Sequence, residues 1–479
     1  MTMEKYTIWN FSDFRVLQDK HHMDRTVLRS IASAAMLVIA AGAACASSTN
    51  VSGGPEEKPE DFFSARLAGG RTGYVSSRKF SKSETEAVRA DVWAYWKAAN
   101  ENFSEEKLQP LIPMSWDGSG LWNIPAELEP DAKMPYYWCS RGPASENGYR
   151  TFIYLHGSGN PDREWQNGLI LSSQFQDSSA FFVPKIPNTG SYYRWWQKGK
   201  QYAWEKFLRL SALSGEVDPD RIFFIGISEG AYGSQRLASY YADYLAGAGP
   251  IAGGEPLKNA PVENCANIAF SFRTGSEDKM FYRDILTGYT RDEFDRFEKE
   301  HPGYYVHNIE VVPGADHHSI GYFNTTPWLK DFVRNPYPKY VNWENFEMDG
   351  NKRDCFYNLA VEEPELENGR RRHYEMTIEG NVVNINVNDV EYTTTQTDPV
   401  YGIEMKFDKS YYPAKGGSVT IYLSDELLDL DSKVTVNLNG RRVWRGRLSR
   451  RLEDVVNSCA LFGDPRRLYT SSITISVKQ

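Results

Sequence analysis

The chain has 479 residues, of which 41% are hydrophobic and 24% are charged. This composition is typical of globular proteins and excludes a disordered chain, a collagen-like repeat and a small disulfide-stapled scaffold. The 54 Lys and Arg residues against 63 Asp and Glu residues give a net charge of −9, which argues against a nucleic-acid partner because phosphate-binding surfaces are basic. The length predicts two or three domains.

The N-terminus is predicted to be an export signal. Residues Ile31–Ala46 are small and apolar, two arginines precede them, and the run is shorter than the about 20 residues that span a bilayer. We predict a leader and signal peptide over residues 1–46, with Met23 as the true start, and a polar tether over residues 47–60. Export to the periplasm, the outer membrane or the extracellular space follows from this assignment.

Cys45 is a candidate for lipid attachment. The three small residues before it resemble a lipobox, although glycine stands where leucine is usual. A lipoprotein attached to a membrane through Cys45 and a simply secreted protein are both consistent with the pattern. The other cysteines are Cys139, Cys265, Cys355 and Cys459, which allow three pairings in an exported chain, with Cys355–Cys459 favoured.

Residues 61–335 are predicted to form an α/β domain with an N-terminal extension. The capping-box pattern Ser83-x-x-Glu86 predicts a helix that reaches about Asn100. After Tyr149, short β-branched or aromatic runs alternate with helical stretches, which predicts a parallel sheet with helices on both faces. The predicted strands are Thr151–Leu155, Phe181–Val183, Arg221–Ile227, Ile268–Phe272 and Asn308–Val312.

Residues 340–479 are predicted to form a second, all-β domain. Pro336 and Pro338 mark the boundary, and beyond them apolar and polar residues alternate in four runs. Asn439-Gly440 is the signature of a two-residue hairpin turn. We expect a half-buried antiparallel, sandwich-like module that carries no catalytic residue and that either binds a glycan or supports the first domain.

The strongest chemical signal is Gly226-Ile227-Ser228-Glu229-Gly230. It follows the apolar run Arg221–Ile227 and opens a small-residue helix, which is the strand–turn–helix setting of a nucleophile elbow. Such a turn exposes the Ser228 hydroxyl and directs the N-terminus of the helix at the reacting group. A structural serine in a tight turn is the alternative.

A second motif, His156-Gly157-Ser158-Gly159, follows the strand Thr151–Leu155. With these two motifs, residues 149–333 resemble an α/β-hydrolase, similar to secreted polyhydroxybutyrate depolymerases and feruloyl esterases. The resemblance implies that backbone N–H groups of Gly157 or Ser158, together with that of Glu229, form an oxyanion hole. It also implies that His156 is structural.

The base and the acid are expected in loops after later strands. In this family the chain order is serine, acid, histidine, and His317 and His318 follow the strand Asn308–Val312. We favour His317, which the Gly314-x-x-His317 spacing supports, and keep His318 as the alternative. Asp278 is the predicted acid that orients the imidazole, with Glu277 as the alternative.

Tyr193, Trp195 and Trp196 are predicted to line the substrate pocket, because their loop leaves the sheet near the elbow; packing in the core is the alternative. No metal-binding motif is present, and neither a metal nor a cofactor is expected.

The sequence therefore predicts a secreted serine esterase that cleaves carboxylic esters through an acyl-enzyme. Small-molecule or oligosaccharide esters, such as acylated plant polysaccharide fragments, are the expected substrates. Two alternatives remain open: a serine peptidase of the prolyl-oligopeptidase kind, and an inactive hydrolase fold that binds glycans.

Overall fold

The computed structural model describes residues 57–70, 73–175 and 177–477. The predicted signal peptide, Met23 and Cys45 lie outside these residues. Among the described residues, none of the helices combines the length and the hydropathy that a membrane-spanning segment needs. From residue 57 onwards, the described chain forms one compact unit.

Two helices precede the first strand, α1 (Pro59–Leu67) and α2 (Thr85–Asn102). Helix α1 begins just inside the predicted tether. The capping box lies two residues before the predicted one: the Glu84 carboxylate accepts a hydrogen bond from the Ser81 amide at 2.8 Å, and α2 begins at Thr85. The buried face of α2, which includes Val92 and Trp96, packs in a cluster with residues near the C-terminus of the chain.

The central sheet has nine strands, in the order β1-β3-β5-β4-β6-β7-β8-β9, and β2 also pairs with β3. The strands from β5 to β9 run parallel, and β3 is antiparallel to β5. Their bounds are β1 (Ile112–Pro113), β2 (Ser119–Asn123), β3 (Lys133–Arg141), β4 (Tyr149–Leu155), β5 (Ser179–Pro184), β6 (Val217–Ile227), β7 (Gly247–Ile251), β8 (Ala269–Gly275) and β9 (His307–Val312).

Helices cover both faces of this sheet, as predicted. The helices are α3 (Pro161–Gln174), α4 (Lys198–Ser214), α5 (Glu229–Tyr241), α6 (Arg283–Glu300) and α7 (Thr325–Leu329). Alternate residues of the buried strands join different clusters: Phe224 packs with side chains of α4, α5 and α6, whereas Phe223 packs with side chains of α3 and α7. This alternation follows from the two-residue period of a strand.

Strand β7 was not predicted from the sequence. Its residues, Gly247–Ile251, contain two glycines and a proline and no β-branched residue before the last position. The small residues make room for a helix, because a Cβ atom added at Gly249 would lie 2.3 Å from Thr325 Cγ2 of α7. Close packing therefore removed the composition signal that identifies the other strands.

The C-terminal part contains two sheets, a six-stranded one in the order β10-β13-β14-β17-β18, with β15 on β14, and a four-stranded one in the order β11-β12-β16-β19. The elements are β10 (Tyr340–Asn345), β11 (Cys355–Phe356), β12 (Leu359–Glu362), β13 (Arg371–Glu379), β14 (Val382–Thr397), β15 (Glu404–Pro413), β16 (Ser418–Leu423), β17 (Val434–Leu438), β18 (Arg441–Gly446), α8 (Leu452–Phe462) and β19 (Ser471–Ser476).

Three details of this part can be compared with the sequence-based expectations. Asn439 and Gly440 join β17 and β18 with positive φ angles of 48° and 74°, as a two-residue hairpin turn requires. The sheets are not purely antiparallel, because β14 and β17 pair in parallel. The expected Cys355–Cys459 disulfide is wrong: all four described cysteines are free and buried.

The hydrophobic core continues across the predicted boundary at residues 335–340. One cluster contains Phe224 of the central sheet and Val436 of the C-terminal sheets. Buried charges also join these two parts. Asp243 follows α5, and its carboxylate accepts hydrogen bonds from Arg353 at 2.7 Å and from Arg467 at 2.6 Å. Both Asp243 and Arg467 are fully buried.

We expect Asp243→Ala to destabilise the whole molecule by about 3–5 kcal/mol, because it leaves two buried guanidinium groups without this partner. Urea unfolding measures the effect. The matched control is Asp331→Ala, which removes an exposed carboxylate 3.8 Å from Arg150 and should cost less than about 1 kcal/mol. Equal losses in the two variants would contradict this role of Asp243.

Candidate active site

Ser228 lies on a sharp turn between β6 and α5. Its backbone φ of 57° and ψ of −112° fall outside the regions that non-glycine residues favour. The glycines on either side are required by space: a Cβ atom at Gly226 would lie 2.0 Å from the Gly230 carbonyl oxygen, and one at Gly230 would lie 1.9 Å from the Leu155 carbonyl oxygen. The strand and the helix therefore approach as closely as their backbones allow.

The structure brings together Ser228, His317 and Asp278. Ser228 Oγ lies 3.1 Å from His317 Nε2, and His317 Nδ1 lies 2.6 Å from Asp278 Oδ2. Asp278 follows β8 and His317 follows β9, so both side chains reach the nucleophile from loops at one edge of the sheet. Because Nδ1 donates to the carboxylate, Nε2 is left to accept the serine proton.

Further hydrogen bonds fix the histidine and the acid. The Tyr322 hydroxyl donates to the His317 carbonyl oxygen at 3.1 Å, and Arg283 Nη1 donates to Asp278 Oδ1 at 2.9 Å. Burial alone would raise the pKa of Asp278, but the hydrogen bond to His317 and the charge of Arg283 outweigh it and lower that pKa below its ordinary value. Asp278 is therefore held as a carboxylate.

The two alternatives from the sequence are separated by geometry. His318 is exposed, and its amide donates to the Asp316 carboxylate at 3.0 Å in a tight turn. The two histidine rings stand at 81° to each other, and the hydrogen bonds to Ser228 and Asp278 are those of His317. Glu277 is exposed and contacts Ser276, whereas Asp278 is buried beside the imidazole.

The loop after β4 lies against the nucleophile. A Cβ atom at Gly157 would lie 3.2 Å from Ser228 Cβ, and Ser158 lines the cavity that contains Ser228. His156 is fully buried, with Nδ1 2.8 Å from the Gly157 carbonyl oxygen and Nε2 accepting from the Ile186 amide at 3.1 Å. Burial lowers the pKa of His156 to about 4, so its neutral ring shapes the loop.

A cavity of about 650 Å³ opens at Ser228. Two of the three predicted aromatic residues, Tyr193 and Trp196, line it. Trp195 departs from the prediction: it is fully buried, its indole N–H donates to the His156 carbonyl oxygen at 3.0 Å, and it packs against Gly233. The cavity is lined by Ser158, Tyr193, Arg194, Trp196, Ser228, Glu229, Tyr232, Arg236, Gly254, Glu255, Pro256, Asn259, Phe281, Arg283, Gly402, Ile403 and Glu404.

Sequence reasoning missed the charged side chains of this cavity. Arg236 forms a two-bond pair with Glu255, at 2.7 and 2.9 Å, and its guanidinium lies 3.9 Å from the centre of the Trp196 ring. Arg194 pairs with Glu229 at 2.5 Å. These partners are far apart in sequence, and a basic residue in a helix or a loop normally indicates only a solvated surface.

Glu229 is the residue next to the nucleophile, and its side chain is buried. Within the part of the chain that the structure describes, its Oε1 atom has no hydrogen-bond partner, while Oε2 pairs with Arg194. Burial raises the pKa of Glu229 from 4.5 to about 7, although the half-exposed Arg194 guanidinium opposes the shift. Near neutral pH this carboxyl group therefore changes its charge, one residue along the chain from Ser228.

A buried parallel strand, an elbow serine, an acid and a histidine in this chain order, and a loop against the nucleophile occur together in one structure. The chain has the α/β-hydrolase fold. The fold predicted from the sequence, including the additional C-terminal β-rich part, is therefore confirmed.

No protein-family model and no curated protein matches the chain. Among solved structures, it is similar to a thermostable esterase (17% identity, TM-score 0.36), over 46% of this chain and 64% of that one. It is also similar to a ferulic acid esterase from Anaeromyces mucronatus (14% identity, TM-score 0.33), over 45% of this chain and 88% of that one. A third similar structure is a poly(3-hydroxybutyrate) depolymerase from Bordetella parapertussis (10% identity, TM-score 0.33), over 42% of this chain and 84% of that one.

Replacing Glu229 should change how stability depends on pH. A raised carboxyl pKa means that the folded state keeps the proton between about pH 4.5 and 7 while the unfolded state releases it, so stability falls as the pH rises through this window. We expect the difference in free energy of unfolding between Glu229→Gln and the unchanged protein to shift in favour of the variant by up to about 3 kcal/mol from pH 4.5 to pH 8. Urea unfolding at both pH values measures this, and a pH-independent difference would contradict it.

Proposed function

We propose that this protein is a serine hydrolase that cleaves carboxylic esters through an acyl-enzyme. The observation that carries the proposal is the continuous hydrogen-bond chain from Ser228 Oγ through His317 to Asp278, in which Ser228 stands at the N-terminus of α5 and lines the cavity. A serine hydroxyl is a weak nucleophile, and an adjacent base that a carboxylate orients is the arrangement that activates it.

In the proposed reaction, His317 Nε2 takes the Ser228 proton as Oγ attacks the ester carbonyl. The tetrahedral oxyanion is met by the backbone N–H of Glu229 and by that of Gly157 or Ser158. The C–O bond to the alcohol then breaks, and His317 gives its proton to the leaving oxygen. A water molecule attacks the acyl-enzyme by the reverse proton transfers, which releases the acid and restores Ser228.

The lining of the cavity supports a polar ester as substrate. Aromatic rings and paired arginines surround Ser228, and a cavity of this volume holds a molecule of several rings. We therefore propose that the enzyme acts on oligosaccharide esters, such as acylated plant polysaccharide fragments. The signal pattern in residues 1–46 supports the further proposal that it is exported.

A fluorophosphonate probe should label the protein at Ser228 and leave Ser228→Ala unlabelled, because the probe requires an activated serine. The purified protein should also hydrolyse 4-nitrophenyl acetate, and the Ser228→Ala variant should lose orders of magnitude in kcat. Mass spectrometry locates the label. Faster cleavage of a prolyl anilide than of any ester would favour a peptidase instead, and equal labelling of the variant would refute the nucleophile.

The two histidines should respond differently to the same substitution. His317→Ala removes the base and should lower kcat for 4-nitrophenyl acetate about 10²–10⁴-fold. His318→Ala is the matched control, because this exposed residue makes neither hydrogen bond of the triad, and it should keep kcat within about threefold. Steady-state kinetics measures both kcat values. If His318→Ala is inactive and His317→Ala keeps its activity, His318 is the base instead of His317.

A further inference from the structure

The cavity at Ser228 has one wall from the C-terminal part of the chain. Gly402, Ile403 and Glu404 line it, and they lie at the tip of the hairpin that β14 and β15 form. We propose that this hairpin tip is a specificity-determining wall that binds the part of the substrate remote from the scissile ester. The proposal rests on the proposed ester hydrolysis and assigns a role to a region that carries no member of the triad.

The hairpin tip is held in one shape by its own hydrogen bonds. The Asp398 carboxylate accepts from the amides of Val400 at 3.1 Å and Tyr401 at 2.6 Å. Backbone hydrogen bonds close the turn, from the Asp398 amide to the Ile403 carbonyl at 2.8 Å and from the Gly402 amide to the Asp398 carbonyl at 3.1 Å. A turn with this many internal bonds presents a preorganised surface, which lowers the entropy cost of binding a ligand.

The tip is also fastened to the α/β part of the chain. The centres of the Tyr401 and Phe281 rings lie 4.7 Å apart. Phe281 belongs to the loop between Asp278 and α6 and also lines the cavity. On the other side of the tip, Lys258 forms an ion pair with Glu404 at 3.0 Å. Contacts at two points therefore keep the wall in place relative to Ser228.

The size and chemistry of the cavity define the substrate class. An acetyl ester occupies a small fraction of about 650 Å³, so a substrate that reaches the hairpin must have a large second half. Arg236, Glu255 and Asn259 also line the cavity, and their polar groups suit hydroxyl or charged groups on that half. The structure therefore favours a large ester with a polar remote part over a small or purely aliphatic ester.

The test compares two substitutions on the same tip. Ile403→Trp adds volume inside the cavity, whereas Val400→Trp places the same indole ring at a side chain that is 69% exposed and does not line the cavity. Full-length variants are labelled with diisopropyl fluorophosphate, which needs only the space at Ser228, and with a rhodamine-linked fluorophosphonate, which is bulky. Ile403→Trp should slow the bulky probe tenfold or more and the small probe less than twofold, and Val400→Trp should slow neither.

Other outcomes overturn the proposal. Unchanged labelling of Ile403→Trp by both probes would show that the hairpin does not restrict the cavity, and equal slowing of both probes would show that it does not discriminate by size; either result refutes the wall. If Ile403→Trp does not fold, Ile403→Ala must shift the ratio of the two labelling rates threefold or more, and an unchanged ratio overturns the wall. A wild type that neither probe labels refutes the proposed hydrolase itself, whereas labelling without size discrimination refutes only the hairpin.

Discussion

The contact between β6 and α5 is the constraint on which the arrangement of the site depends. No side chain fits at Gly226 or Gly230, so the backbone must turn within two residues, and Ser228 takes a strained conformation that costs about 1–3 kcal/mol. Parallel strands on both sides of β6 hold this turn. Ser228 is thus positioned by the backbone, and the loops after β8 and β9 need only bring Asp278 and His317 to a point that is already fixed.

Much of this arrangement is readable from the sequence because it rests on local patterns at the ends of strands. The elbow and the acid lie within a few residues of apolar runs, and parallel strands place such ends at one edge of a sheet. The choice between His317 and His318 depended on the turn at Asp316, which spacing does not define. Spacing groups Trp195 with Tyr193 and Trp196 in the pocket, but its indole N–H donates a hydrogen bond to the His156 carbonyl oxygen inside the core. The cavity arginines come from separate elements that only the tertiary fold assembles.

The charges of the cavity are balanced in pairs. Arg194 faces Glu229, Arg236 faces Glu255, and Arg283 faces Asp278. Paired in this way, guanidinium groups can offer hydrogen-bond donors to a substrate without a strong net field at the nucleophile. In the proposed reaction Glu229 is the sensitive member, because its negative charge would lie beside the backbone N–H group that meets the oxyanion, and Arg194 offsets that charge.

The packing of the first helices on the last one has a consequence for biosynthesis. Tyr74 and Asn457 exchange two hydrogen bonds although they are 383 residues apart along the chain, and α2 shares its buried cluster with α8. At about 5–20 residues per second, a ribosome needs roughly 20–80 s to produce the partner after the first segment has emerged. During that interval α1 already packs on α2, but the part of the α2 face that contacts α8 stays uncovered until the C-terminal helix has been synthesised.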